Sequence, residues 1–175
     1  KGEDYRYKNW RIHNGKKWWW LSFFKVFLLQ GILLWIISMP LLGSQIAGKN
    51  HPIWLIDLIG TFIWIIGFLF ESIGDYQLLA FKSIPSNKGK TFDDGLWKYS
   101  RHPNYFGEAL QWWGFYLIAA AAGSWWTIFS PLLITFLLLR VSGISLLEKS
   151  LENTKPGYKR YIEKTRAFLP WFPKK

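Results

Sequence analysis

Four apolar stretches, residues 18–42, 52–70, 106–122 and 125–147, constrain this chain more than anything else in it. A bilayer core of ~30 Å is crossed by about 20 mainly apolar helical residues, and each stretch meets or approaches that length. The expected architecture is therefore an all-α integral membrane domain filling residues 1–175. It has four transmembrane helices, a polar loop over 81–105 and a tail over 148–175.

The composition is segregated to match. Half of the 175 residues are hydrophobic and 20% are aromatic, with 13 Trp and 14 Phe. The mean hydropathy is nevertheless only +0.05, because the spans are averaged against basic segments that give 22 Lys and Arg, 11 Asp and Glu and a net charge of +11. Segment 1–17 holds six Lys or Arg, 81–105 holds five and the chain after Leu147 holds eight, so 19 of the 22 fall on one side of a four-span path. By the positive-inside rule that side is cytoplasmic. Topology and attraction to anionic lipid account for the charge, and no nucleic-acid partner is expected, because a DNA-binding chain has no reason to bury four spans. Trp18, Trp19 and Trp20 read as an interfacial belt toward which Lys25 can snorkel. Gly123 and Ser124 leave room only for a tight turn, so the last two spans should form an antiparallel hairpin.

With no cysteine and three scattered histidines (His13, His51, His102), thiol nucleophiles, disulfides and sulfur-ligated zinc are excluded, and no metal site is expected. Met39 is the single Met and the chain opens at Lys1, so further sequence is expected upstream.

Ionisable groups in or beside spans usually face a cavity or a partner. Glu71 and Asp75 are four apart and share a helix face, with Lys82 near the same stripe two turns on. Two carboxylates on one face suit a cation or a bound hydroxyl; a solvated helix end is the plainer alternative. Asp57 reads only as a polar helix end. In Ser100-Arg101-His102-Pro103-Asn104-Tyr105-Phe106-Gly107-Glu108, Pro103 suits the first helical position. The free N–H groups of that start, with Arg101 and His102, form a ready anion site for phosphate. Asn104 and Glu108 project from one face, an amide beside a carboxylate that suits a carboxamide or ribose, with Gln111 near that face. The alternative is a capped span whose Glu108 pairs with Arg140, which lies in the fourth span eight residues before Glu148 on roughly the same face. The tail, from Lys155-Pro156-Gly157 through Tyr158, Tyr161 and Arg166 to Trp171-Phe172-Pro173, reads as an interfacial amphipathic helix with an aromatic anchor. Its tyrosines suit either nucleotide stacking or the membrane interface.

The stretch from Gly95 to Glu108, GLWKYSRHPNYFGE, resembles the signature of the steroid 5-alpha-reductase C-terminal domain and its bacterial relatives, a group related to sterol reductases and isoprenylcysteine carboxyl methyltransferases. Gly2 to Tyr7, Asp75-Tyr76-Gln77, Ser142-Gly143-Ile144, Glu148-Lys149 and Tyr158 to Pro173 extend the resemblance over nearly the whole chain. It implies a cytoplasm-facing NADPH site drawn from Glu71, Asp75, Lys82, Arg101, His102, Asn104, Tyr105, Glu108, Arg140, Glu148 and Tyr161, with Asn104 and Glu108 near the nicotinamide. Glu71 and Glu148 stand where the animal steroid reductases have Asn and Tyr. The resemblance also implies that the chain is the C-terminal part of a larger bundle in a bacterial inner membrane. The Glu and Tyr that polarise the substrate carbonyl come from earlier spans, so no catalytic residue is assigned within this chain.

The function expected from this reading is NADPH-dependent reduction of the electron-poor C=C bond of a lipophilic, steroid-like or isoprenoid enone that enters from the bilayer. Methyl transfer from S-adenosylmethionine to a membrane-embedded acceptor is the enzymatic alternative, because the methyltransferase branch uses a similar rim motif. A non-catalytic membrane scaffold is the third reading, and the absence of a broken-helix pair in matching halves disfavours a transporter.

Overall fold

The computed structural model describes residues 5–47, 52–141 and 143–174, so Gly2–Asp4 and Ser142 of the motif stretches lie outside the described residues. The described residues are helical with no strand, and the chain divides into two compact units, 1–38 and 39–175. Among the described residues, three helical runs are long and apolar enough to cross a membrane: Tyr7–Ile37, Leu55–Ser83 and Trp125–Thr154.

The described residues of the first unit follow one continuous helical path up to Ile37. It is made of α1 (Tyr5–Asn14), a 3-10 turn, α2 (Trp18–Ser22), a π-helical turn over Phe23–Leu28 and α3 (Leu29–Ile37). The span expected to run on to residue 42 stops here. Ser38 lies in a turn and α4 (Met39–Ala47) starts separately, because Pro40 has no N–H to give and its ring would meet the carbonyl four residues back in a continuous helix.

In the second unit, α5 (Leu55–Ser83) and α6 (Pro103–Ala121) are packed antiparallel through glycine. Gly60, Gly67 and Gly74 recur every seven residues on α5, Gly107 and Gly114 do so on α6, and all five are buried. A Cβ on Gly60 would lie 2.9 Å from the Gly114 carbonyl oxygen, and one on Gly67 would lie 2.6 Å from that of Gly107. Small residues at this spacing allow backbone-to-backbone approach where the hydrophobic effect offers little between helices in lipid. Asp57 accepts from the Trp54 backbone N–H at 2.8 Å and so ties off the start of α5.

Helix α6 does not meet the length-and-apolarity standard of a span. Asn104, Glu108, Gln111 and its Trp and Tyr residues lower its apolar character. Yet no residue of α6 is exposed, since α5, α4 and α7 (Phe129–Phe136) surround it. Polar groups on such a helix meet protein rather than lipid. Gly123, at φ 98°, ends it in a Schellman turn in which the Ser124 N–H donates to Ala119 O and the Gly123 N–H to Ala120 O. This is the tight turn expected at 123–124.

The last run is not one straight helix. A 3-10 turn leads into α7, a π-helical turn covers Leu137–Val141, and α8 (Ile144–Thr154) follows Gly143, where the Leu138 carbonyl sits in the space a Cβ would occupy. That irregularity falls between Arg140, in the π-helical turn, and Glu148, in α8. The tail also departs from expectation. Its helix α9 (Tyr158–Lys164) is short, entered at Gly157 with φ 78°, and carries buried Tyr158 and Tyr161. Leu169, Trp171 and Phe172 beyond it are exposed.

Candidate functional site

The segment between α5 and α6 is pinned from both sides. From α5, Gln77 Oε1 accepts the Leu96 N–H at 3.0 Å, and the Gly74 carbonyl accepts the Trp97 indole N–H at 3.0 Å. From the tail, the Tyr161 hydroxyl donates to Trp97 O, the Arg101 N–H donates to Arg166 O at 2.9 Å, and the Ser100 hydroxyl donates to Phe168 O at 2.9 Å. Three stretches picked out by motif, 75–77, 95–108 and 158–173, therefore form one knot.

At its centre Arg101 grips Glu148 in a bidentate pair, Nε to Oε1 at 2.7 Å and Nη2 to Oε2 at 3.0 Å. Its Nη1 donates to the carbonyls of Ile162, at 3.0 Å, and Thr165. The His102 ring meets Glu148 Oε1 at 3.0 Å and stacks on Tyr105 at 5.4 Å and 8°. Arg101 and His102, expected to offer donors to an anion, are 8% and 2% exposed. Glu148 and the tail carbonyls already take those donors. Tyr161 is likewise a fastener rather than a stacking platform, being 5% exposed with its hydroxyl engaged. Burial, and then neighbouring Tyr158, push its hydroxyl well above the usual phenol range.

One helical turn further in, a polar strip runs along the α5–α6 seam. The Asn104 amide donates to Asp75 Oδ1 at 2.9 Å. Gln111 donates to Glu71 Oε2. Glu108 is half-buried one position beyond Gly107, whose Cβ would lie 2.5 Å from the Glu71 backbone nitrogen. The seam thus gathers Glu71, Asp75, Asn104 and Glu108 from two helices. Asn104 Oδ1 is buried and, like Trp64 Nε1 on α5, has no hydrogen-bond partner among the described residues. A buried amide oxygen without a donor is costly, and a ligand N–H at that point would satisfy it.

The remaining expected residues stand apart from the strip. Lys82 lines a cavity of about 110 Å³ with Arg101, His102 and Tyr161. Arg140 is exposed and makes no ion pair among the described residues, so the Glu108–Arg140 pairing does not form. Gln77 and Trp97 act as pins that the sequence alone does not reveal, although both stand inside the motif stretches 75–77 and 95–108. No cluster of metal-ligating side chains occurs among the described residues.

Residues 1–165 match the family described as "Protein of unknown function (DUF1295)", and the chain belongs to that family. It is similar to two proteins of Schizosaccharomyces pombe. Uncharacterized protein C594.04c is 27% identical over 193 residues, which cover 96% of this chain and 55% of that protein. Uncharacterized protein C9.08c is 31% identical over 117 residues, which cover 56% of this chain and 41% of that protein. The chain spans about half the length of these curated relatives. No solved structure matches it.

Proposed function

We propose that the chain is the cofactor-binding part of an integral-membrane, NADPH-dependent reductase, resembling the steroid 5-alpha-reductases, that reduces the electron-poor C=C bond of a lipophilic enone drawn from the bilayer. In this reading α6 crosses as a fourth span shielded by its neighbours. The basic 81–105 loop and the tail face the cytoplasm of a bacterial inner membrane.

The observation that carries the reading is the orphan Asn104 Oδ1. Asp75 occupies the amide N–H of Asn104 and leaves this oxygen as an acceptor, which fits the NH₂ of a carboxamide such as that of nicotinamide. When bound, NADPH supplies a hydride, and positive charge develops on its ring as the hydride leaves. Glu71, Asp75 and Glu108 set acidic groups along the same seam, where they stabilise charge of that sign. No residue of the chain is assigned to donate the proton that completes the reduction.

The acidity of the strip also gives the methyltransferase reading its support, since S-adenosylmethionine is a cation. The electrostatics separate the two. A sulfonium loses its charge as the methyl group departs, so nearby carboxylates hold its ground state more than its transition state, whereas hydride donation gains charge and is accelerated. Energy transfer from tryptophan to NADPH in the detergent-purified chain tests this. Saturable transfer that Asn104→Ala abolishes and S-adenosylmethionine leaves unchanged is expected. Binding of S-adenosylmethionine in its place would move the assignment to methyl transfer, and binding of neither would leave a membrane scaffold.

A further inference from the structure

A concavity of about 940 Å³ lies away from the polar strip, between the 88–98 segment and the tail. That is the size of a small-molecule site. Its walls carry Lys88, Lys90 and Lys98 from the segment and Arg160 and Lys164 from α9, against the acidic Asp93 and Asp94. None of the five cations is in an ion pair among the described residues. The walls are held in place independently of any ligand. Thr91 Oγ1 donates to Pro156 O at 3.0 Å, Lys155 Nζ donates to Lys90 O at 3.1 Å, and the Lys174 N–H donates to Lys164 O at 2.8 Å. Buried Tyr161, which closes on Trp97 O, fixes the helix that brings Arg160 and Lys164 opposite the loop lysines.

Cations free to spread over a solvated surface move apart. Here two fastened chain segments hold five of them around one hollow, where a low-dielectric wall concentrates their field. Such a field is relieved by a compact multivalent anion, and rotatable ammonium groups with one guanidinium suit phosphoryl oxygens. We propose that this cavity binds a phosphoryl group carrying two or more negative charges, either on a soluble ligand or on the headgroup of an anionic lipid. The proposal does not rest on the reductase reading.

The test uses inorganic pyrophosphate as the probe, titrated calorimetrically into the detergent-purified chain at constant ionic strength. The double variant Lys98→Gln with Lys164→Gln removes one cation from each wall. Both side chains are exposed and unpaired, so the fold is not at stake. Lys16→Gln with Lys17→Gln removes the same charge elsewhere. Saturable binding that the first pair weakens by about tenfold or more, and the second leaves unchanged, is the expected result. Absence of saturable binding, or equal weakening in both pairs, overturns the proposal. Competition then identifies the source. Displacement by NADPH but not by phosphatidylcholine vesicles containing phosphatidic acid supports a soluble phosphate ligand, and displacement by those vesicles but not by pure phosphatidylcholine supports a lipid headgroup.

Discussion

Gly67 and Gly107 put the backbones of α5 and α6 in direct contact: a Cβ on Gly67 would lie 2.6 Å from the Gly107 carbonyl oxygen, and one on Gly107 would lie 2.5 Å from that of Gly67. The obstacle is peptide backbone on a long helix, which cannot swing aside. Gly67→Ala or Gly107→Ala is therefore expected to cost about 1–3 kcal/mol or more through overpacking. Gly74→Ala meets its nearest atoms at an ordinary 3.4 Å and should cost less. Thermal unfolding of the three variants in one detergent checks the order. Equal midpoints for all three would show that the seam is looser than these distances imply.

The seven-residue glycine spacing stands in the sequence, but glycine makes its contact by lacking a side chain, and no apolar count registers it. The membrane class was legible because length and apolarity are local properties of a run. The breaks at Ser38 and Gly143 were less so, since a π turn or a carbonyl occupying the place of a Cβ depends on how the chain continues. Periodicity along α6 placed Asn104 and Glu108 on one face, but it could not join Asn104 to Asp75, because that bond crosses between helices whose register glycines set. Arg101 and His102 looked free for the same reason: Glu148 and the carbonyls of Ile162 and Thr165 come from more than forty residues away.

Arg101 and Glu148 hold the tail to the loop. Arg101→Ala leaves Glu148 with only His102 and strands two tail carbonyls, so a loss of about 3–5 kcal/mol is expected. Arg101→Lys should rescue little, because an ammonium cannot make the bidentate pair and reach Ile162 and Thr165 together. Limited trypsin digestion is the readout. Cleavage after Lys159, Arg160 and Lys164 should accelerate in both variants, and an unchanged digestion rate would show that the pair does not fasten the tail.

The tail should also come loose in alkali. Tyr158 and Tyr161 both have hydroxyls raised above the usual phenol value, chiefly by burial. A raised folded value contributes stability that is complete below the unfolded value of about 10 and falls as pH rises through it toward the folded one. Lys155 is shifted down by burial and then by Lys82, which gives the opposite slope, so an alkaline loss belongs to the tyrosines. Absorbance near 295 nm should show Tyr158 and Tyr161 ionising only as the tail is released. A high-pH change in phenol absorbance on tail release that Tyr158→Phe with Tyr161→Phe fails to remove would contradict this.

Because the chain has no cysteine, its topology can be mapped by adding one at a time. If α6 crosses the bilayer, Ser86→Cys and Asn153→Cys label from the cytoplasmic side, and Trp125→Cys, at the far end of α6, labels from the other. All three positions are exposed. A membrane-impermeant maleimide applied to intact cells and to inverted vesicles distinguishes the cases. Labelling of Trp125→Cys on the same side as Ser86→Cys would leave α6 inside the protein without crossing.

The acidic strip makes a prediction that needs no known substrate. If Glu108 stabilises positive charge on a bound nicotinamide ring, the wild-type chain favours NADP⁺ over NADPH more than a variant without that charge. Glu108→Gln keeps the size of the side chain and removes the charge. It should shift the ratio of the two affinities toward NADPH by about tenfold, the effect of one charge at a few ångströms in a partly screened site. A loss of binding common to both forms would instead point to packing, since a misplaced side chain has no reason to distinguish an oxidised ring from a reduced one. Paired titrations of the two nucleotides, followed by tryptophan quenching and checked by displacement, give the ratio directly. An unchanged ratio with intact binding would remove Glu108 from the electrostatic role and leave Asn104 and Asp75 as the residues that orient the ring.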